Sequence, residues 1–312
     1  MADAAGKDRT MKEIVIISGK GGTGKTSITA SFATLAKGAA VLADCDVDAA
    51  DLHLILEPRI HRSTPFFSGH TAVVNREKCT GCGTCDRLCR FGAISQVDDT
   101  WRVDPVACEG CGVCVRFCPA GAIDFRENRC GDWFVSDTRF GTMVHAKLGI
   151  AAENSGRLVT LVRTEARRLA EEQQADYVLI DGSPGIGCPV IASLTAAQLA
   201  FIVIEPTVSG LHDLRRIAGL TRQLRVPTMV CVNKWDINPS VTESIRAFTE
   251  TEGMQFAGTV RYDRVFTDAQ RMAKTVVECS RGPVSEDIIA VWMKVNLYLQ
   301  SSDDRSGITR SA

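Results

Sequence analysis

The chain has 312 residues, 45% of them hydrophobic and 23% charged, with 36 basic against 37 acidic side chains and a formal net charge of −1. That balance suits a soluble globular protein of one large or two smaller domains, and it provides no global field to gather nucleic acid or an anionic membrane. MADAAGKDRT at the start lacks the apolar core of a signal peptide and no run reaches the length of a membrane span, so a cytoplasmic protein without a stable membrane anchor is expected.

Lys12–Ser18 (KEIVIIS) is a β-branched run that predicts a strand, and Ser27–Lys37 has helical spacing. Between them stand Gly19, Lys20, Gly21, Gly22, Thr23, Gly24, Lys25 and Thr26, which satisfy G-x-x-x-x-G-K-S/T in the strand–loop–helix context that this motif requires. Such glycines let backbone N–H groups wrap phosphates, and the helix start presents its positive end to them. Gly19 through Ser27 are therefore the expected nucleotide-binding residues. Lys25 is expected to reach the β- and γ-phosphates, and Thr26 to offer its hydroxyl to Mg2+.

A second apolar run, Ala40–Ala43, leads into Asp44, Asp46, Asp48 and Asp51. Carboxylates at a strand end beside a phosphate loop hold Mg2+ through water or orient the attacking water. For Asp48 and Asp51, helix capping or solvated charge is an equal reading.

Between about Phe67 and Arg126 the rhythm changes. Cys79, Cys82, Cys85 and Cys89 form C-x2-C-x2-C-x3-C, and Cys108, Cys111, Cys114 and Cys118 repeat it 29 residues later, followed by Pro119. The same shift superposes Gly81 on Gly110, Gly83 on Gly112 and Ala93-Ile94 on Ala122-Ile123. Thiolates at this spacing place three sulfurs on one iron–sulfur cube and leave the fourth for the other. Paired C-x2-C units also suit zinc, but the third cysteine of each triplet and the repeat favour clusters. Short strands are expected at Ala72–Asn75 and Trp101–Asp104.

Further strands are expected at Tyr177–Ile180, Ala200–Ile204, Thr228–Val232 and Phe256–Val260. Helices are expected near Leu158–Gln174, Val190–Gln198, Leu211–Leu224, Thr242–Glu252 and Ser285–Leu299. Strands alternating with helices, without hairpin signals, predict an α/β fold: a parallel sheet with helices on both faces. The expected organisation is a P-loop domain over 1–66 and 127–300, a ferredoxin-like α+β insert over 67–126, and a disordered tail over 301–312. Tyr177-Val-Leu-Ile-Asp181 is a strand ending in an acid, placed to accept from Thr26 or metal-bound water. Gly185, four residues on, is placed to sense a γ-phosphate through its N–H. Asn233-Lys-Trp-Asp236 reads N-K-x-D, which would permit guanine.

Lys20 narrows the field. Lys20-Gly21-Gly22-Thr23-Gly24-Lys25-Thr26 resembles the K-G-G-x-G-K-S/T signature of the deviant Walker-A P-loop ATPases, which include MinD, ParA, Mrp-type carriers and the nitrogenase iron protein. The resemblance implies a nucleotide-sandwich dimer in which Lys20 reaches the partner's phosphates. It implies a catalytic set of Lys20, Lys25, Asp46 and Asp181, with Asp46 positioning water and sharing Mg2+ with Thr26, and Asp44 second in line. It makes Asn233 a contact of adenine, and ATP rather than GTP the nucleotide. Arg261-Tyr262-Asp263 is similar to the family's P-Y-D loop, with Arg in place of Pro.

Over nearly the whole chain the sequence resembles MinD-superfamily ATPases with an inserted two-cluster ferredoxin domain. The crossed pattern then assigns Cys79, Cys82, Cys85 and Cys118 to one 4Fe-4S cluster, and Cys108, Cys111, Cys114 and Cys89 to the other. The implied cofactors are two 4Fe-4S clusters, ATP and Mg2+. Implied partners are a second copy or a similar ATPase, giving a homodimer or heterodimer, and a redox or cluster-accepting protein. The expected function is ATP hydrolysis in a dimer switch coupled to low-potential electron transfer. A cluster-assembly carrier and a MinD/ParA-like spatial organiser with a redox-sensing insert are the alternatives. Cys45, Cys231 and Cys279 read as small core residues, and Cys130 as a loop residue without a partner. Cys188 lies at the offset from Asp181 where the nitrogenase iron protein has a cluster ligand; its default reading is structural.

Overall fold

The computed structural model describes residues 11–149 and 154–308. These form two compact units, one of residues 11–64, 133–147 and 155–308, the other of residues 65–132 with 148–149 and 154. In chain order the elements begin β1 (Lys12–Ser18), α1 (Lys25–Leu35), β2 (Ala40–Asp44), α2 (Leu52–Leu56), β3 (Arg59–Val74), α3 (Thr84–Leu88), β4 (Ile94–Val97) and β5 (Thr100–Val103). Next come α4 (Val113–Arg116), β6 (Ile123–Thr138), β7 (Gly141–Leu148), α5 (Ser155–Glu172), β8 (Tyr177–Pro184), α6 (Cys188–Leu194), β9 (Leu199–Ile204) and α7 (Val208–Gln223). The chain continues through β10 (Thr228–Asn233), α8 (Pro239–Thr251), β11 (Gln255–Val260), α9 (Val265–Arg271), α10 (Val276–Cys279) and α11 (Pro283–Ile308).

The larger unit is built on a nine-stranded sheet ordered β11-β10-β9-β1-β8-β2-β7-β6-β3. Its centre is parallel: β1 pairs with β8 and β9, β10 with β9 and β11, and β2 with β8 and β7. Parallel strands covered on both faces read as unbroken apolar runs, and Ile14–Ile17 of β1 are fully buried. On one face Phe32 of α1 meets Phe201 of β9 at 5.2 Å and Trp292 of α11 at 4.9 Å between ring centroids. Burying a Phe32-sized side chain contributes about 2–3 kcal/mol, so this aromatic group holds α1 and α11 to the sheet.

Register fixes where chemistry can occur. Asp181 lies opposite both Ile16 of β1 and Asp44 of β2. The phosphate loop and both strand-end acids therefore emerge at the carboxyl ends of adjacent strands, where open α/β sheets bind ligands.

The sheet departs from an all-parallel expectation at one edge. Only Arg139 and Phe140 join β6 to β7, a connection that antiparallel neighbours alone allow. The polar, exposed stretches of β3 and β6 hide this edge from a hydrophobicity reading. Arg139 at the turn donates to Ile55 O at 3.0 Å, Leu56 O at 3.1 Å and Ala273 O at 2.8 Å, and pairs with Glu278 at 2.9 Å. It thereby satisfies carbonyls left open at the C-terminus of α2.

α11 runs to Ile308, into the stretch 301–312 where a tail is expected. Residues 309–312 and MADAAGKDRT lie outside the described residues. Among the described residues no helix is long and apolar enough to cross a membrane.

His145 of β7 is buried, with Nε2 2.9 Å from Ser136 Oγ. Burial, then nearby His53, lowers its pKa from 6.5 to about 4. A histidine with a depressed folded pKa is fully accommodated above its unfolded value and loses stability as pH falls through that value toward the folded one. Thermal melts should show the native protein losing on the order of 2 kcal/mol more than His145→Gln between pH 7 and pH 4. Parallel pH profiles for the two proteins would refute this.

Candidate functional site

The phosphate loop runs from the end of β1 into α1. Gly24, immediately before the helix, has φ of 87°, and a Cβ there would stand 2.4 Å from Asn233 Nδ2, so glycine is required twice over. A cavity of about 1290 Å³, including its open mouth, is lined by Gly21 to Ser27, Asp46, Asp51, Asn233 and the loop and helix around Tyr262 to Gln270. Gly19 and Lys20 do not line it.

A charge cluster occupies its floor. Lys25 Nζ lies 2.8 Å from Asp181 Oδ1 and 3.5 Å from Asp46 Oδ2. Thr26 Oγ1 donates to Asp181 Oδ2 at 2.7 Å, and Thr29 Oγ1 is 3.0 Å from Asp181 Oδ1. Asp44, fully buried, accepts from the N–H groups of Asp46 and Leu52, both at 3.2 Å. Burial, then the Asp181 charge, drives the Asp44 pKa well up. Burial likewise lifts Asp46 to about 6 against the pull of Lys25. Burial works against the Lys25 charge, yet Asp181 and Asp46 hold its pKa above the ordinary value.

Oxygen donors suit Mg2+, which keeps several waters and takes further ligands from substrate phosphates. Among the described residues no three His, Cys, Asp or Glu side chains are gathered so as to hold a metal ion. Thr26 and Asp46 beside an open cavity fit a metal that arrives with its nucleotide. Thr23 Oγ1, in the loop itself, is buried without a hydrogen-bond partner.

Several of the expected site residues have protein partners of their own. Lys20 Nζ sits 3.1 Å from Glu205 Oε2, and the same carboxylate takes Lys234 Nζ at 2.5 Å. The Gly185 N–H donates to Ser18 O at 2.8 Å, and Gly185 does not line the cavity, although Pro184 does. Asn233 donates through Nδ2 to Thr23 O at 2.8 Å, which braces the loop, while its Oδ1 accepts the N–H of the adjacent Lys234 at 3.0 Å. Asp236 accepts from the Tyr262 N–H at 2.8 Å and lies outside the cavity lining. Arg261 explains the missing proline: its own N–H donates to Asp287 at 3.1 Å and its guanidinium grips the same carboxylate. Proline has no N–H to give. Glu205, Phe266, Thr267 and Gln270 carried no motif and were not anticipated.

The smaller unit gathers the repeated cysteines. Cys79, Cys82, Cys85 and Cys118 line a cavity of about 310 Å³ including its open mouth, and Cys89, Cys108, Cys111 and Cys114 line another of about 370 Å³ measured the same way. Gly83 and Gly112, at φ of 70° and 71°, make the related turns into α3 and α4. Tetrahedral zinc with bonds of about 2.3 Å draws four sulfurs to within ~3.8 Å of one another. Among the described residues the cysteines of neither cavity are drawn that close together, so four sulfur donors line each cavity without the geometry of a bound ion.

Of the other cysteines, Cys45 and Cys231 are fully buried in the larger unit. Cys130 corrects the loop reading: it lies in β6, buried, with its thiol donating to Ser68 O at 3.1 Å. Cys188 is exposed at the start of α6, and the buried Cys130 is no surface partner for it.

If Asn233 braces the loop, Asn233→Ala should weaken ADP and GDP binding alike, by roughly 5- to 100-fold for about 1–3 kcal/mol. Fluorescence titration with labelled nucleotides measures both. A variant that lost base preference but kept ADP affinity would refute the bracing role.

The model of the CobQ/CobB/MinD/ParA nucleotide binding domain matches residues 14–276. An uncharacterised protein of Methanocaldococcus jannaschii is 32% identical over 228 residues, covering 72% of this chain and 79% of that protein. A second protein of that organism is 24% identical over 235 residues, covering 73% and 83%. Among solved structures, the septum site-determining protein MinD with Mg-ADP from Pyrococcus horikoshii superposes with a TM-score of 0.56 at 15% identity, over 91% of this chain and 96% of that one. The phosphate loop, the strand-end acids and the parallel sheet thus stand in a recognised frame, and the chain belongs to the CobQ/CobB/MinD/ParA family of P-loop nucleotide-binding proteins.

Proposed function

We propose that this protein is an ATP-hydrolysing, dimerising switch whose smaller unit carries two 4Fe-4S clusters, so that one chain responds to both nucleotide and redox state. The observation that carries the reading is the sorting of eight cysteines into two cavities, each lined by three from one repeat and the fourth from the other. That sorting follows the crossed ligation of two-cluster ferredoxins. When bound, such clusters supply one-electron redox chemistry.

On the nucleotide side, Lys25 leaves Asp181 to bind the phosphates and Thr23 Oγ1 gains an acceptor there. Thr26 and Asp46 would hold Mg2+, which when bound would supply charge neutralisation on those phosphates. Asp46, with a pKa near 6, accepts a hydrogen bond from the attacking water and orients it. Asp236 is engaged with Tyr262 away from the cavity, which supports adenine over guanine. Lys20 does not line its own cavity and is partly exposed, which supports a role on a partner subunit's phosphates. Two related proteins in one archaeon leave a heterodimer of similar subunits alongside a homodimer.

Family membership favours a MinD/ParA-like switch, and the sorted cysteines make its insert a redox sensor in this reading. A second reading, delivery of low-potential electrons to a partner protein, is favoured by Cys82 and Cys111, exposed at the two cavities. ATPase assays before and after dithionite reduction separate the two: a sensor changes its hydrolysis rate with redox state. A deliverer keeps its rate and loses electrons to an acceptor only when ATP is present.

Anaerobically purified protein should hold about eight irons, and Cys111→Ser should remove one cluster's EPR signal while ATP hydrolysis persists. Stoichiometric zinc without iron would sink the cluster reading. Lys25→Ala should abolish hydrolysis, whereas Lys20→Ala should chiefly impair ATP-dependent dimerisation by light scattering; a Lys20→Ala protein that dimerised normally would count against the sandwich.

A further inference from the structure

The 29-residue repeat makes the two cavities comparable position by position, and they differ in what faces the sulfurs. In the cavity of Cys79, Cys82, Cys85 and Cys118, Thr84 Oγ1 lies 3.5 Å from Cys82 Sγ. Arg87 donates to that hydroxyl at 3.1 Å, which leaves the hydroxyl proton for a thiolate at Cys82. Arg87 also donates to Cys82 O at 3.2 Å, holding its charge at this loop. A second donor, the Ala122 N–H, reaches Cys118 Sγ at 3.3 Å.

The related positions of the other cavity lack these features. Val113 stands where Thr84 does and has no donor, and Arg116 lies over the Phe117 ring instead of gripping its loop. Ala93, related to Ala122, makes no such bond to Cys89, related to Cys118. Glu109 replaces Thr80, so a carboxylate joins the lining between Cys108 and Cys111. Arg90 follows Cys89, but it is exposed and does not line the cavity. The N–H groups of Asp86 and Val115 assist Cys85 and Cys114 alike, so that contribution cancels.

Hydrogen bonds to sulfur and nearby positive charge favour the more negative, reduced state of a cluster, and a nearby carboxylate disfavours it. We infer that the two cavities are redox-inequivalent, the one built on Cys79, Cys82, Cys85 and Cys118 accepting an electron before the one built on Cys89, Cys108, Cys111 and Cys114, with Thr84 and Glu109 setting the order. The inference rests on the two-cluster reading above. Each cluster takes one electron, and in the test dithionite supplies both and is itself oxidised.

The full chain, purified anaerobically, is titrated stepwise with dithionite while EPR and potential are recorded. Two one-electron waves are expected. Thr84→Val, which installs the residue already present at the sister position, should shift only the more positive wave, to lower potential. Glu109→Thr, the reciprocal exchange, should shift only the more negative wave, to higher potential. Iron counts on each variant keep the two claims apart. A protein without iron overturns the cluster reading together with this one. A protein with about eight irons whose waves coincide, or whose more negative wave moves in Thr84→Val, overturns the ordering alone.

Discussion

The larger unit depends on one buried cation among carboxylates. Lys25 cannot be stripped of water without partners, because an unpaired buried ammonium costs several kcal/mol even after relaxation. Its partners arrive from different strands: Asp181 lies within β8, and Asp46 follows β2. Only a sheet that places β1, β8 and β2 side by side, in the register observed, brings these groups together. Strand order, loop position and charge placement are thus a single constraint. The arrangement also leaves negative charge in excess, with Asp44 and Asp46 both pushed toward protonation by burial. Carboxylates crowded in this way favour a cation beside them.

What could be read from the chain divides along physical lines. β1, the phosphate loop and the strand ending at Asp181 were legible because parallel strands are continuous apolar runs and because glycine, lysine and threonine have few substitutes around a phosphate. The eight repeated cysteines were legible as two groups of four because spacing alone carries the pattern. At Asn233 the motif gives identity and not direction: that its amide Nδ2 donates to Thr23 O is seen only in the fold. Arg261 looked like a defect until its N–H was seen to serve Asp287. Of β3 only the end, within the expected Ala72–Asn75 strand, was legible, and β6 was not, because much of their length is exposed and polar and exposure erases the alternation on which strand recognition relies.

Arg139 illustrates a class of residue that no motif announces. It stands in a two-residue turn, yet its guanidinium collects carbonyls from α2 and from the segment between α9 and α10, together with the Glu278 carboxylate. A planar group with five donors can tie three chain segments where lysine, a point charge, would not. The α2 segment follows the acids after β2, and α9 lines the nucleotide cavity. The side walls of that cavity are therefore anchored to each other behind the site.

Each cysteine cavity borrows its fourth sulfur from the opposite repeat. Neither repeat on its own supplies a four-sided cavity, and a chain cut or recombined between Cys89 and Cys108 leaves two incomplete ones. Duplicated segments usually stay free to diverge, or one copy can be lost while the other keeps its task. Here the exchange of one residue in each direction removes that freedom. The repeats are bound to be inherited as a pair, while the residues around the sulfurs, Thr84 against Val113 and Thr80 against Glu109, remain free to differ.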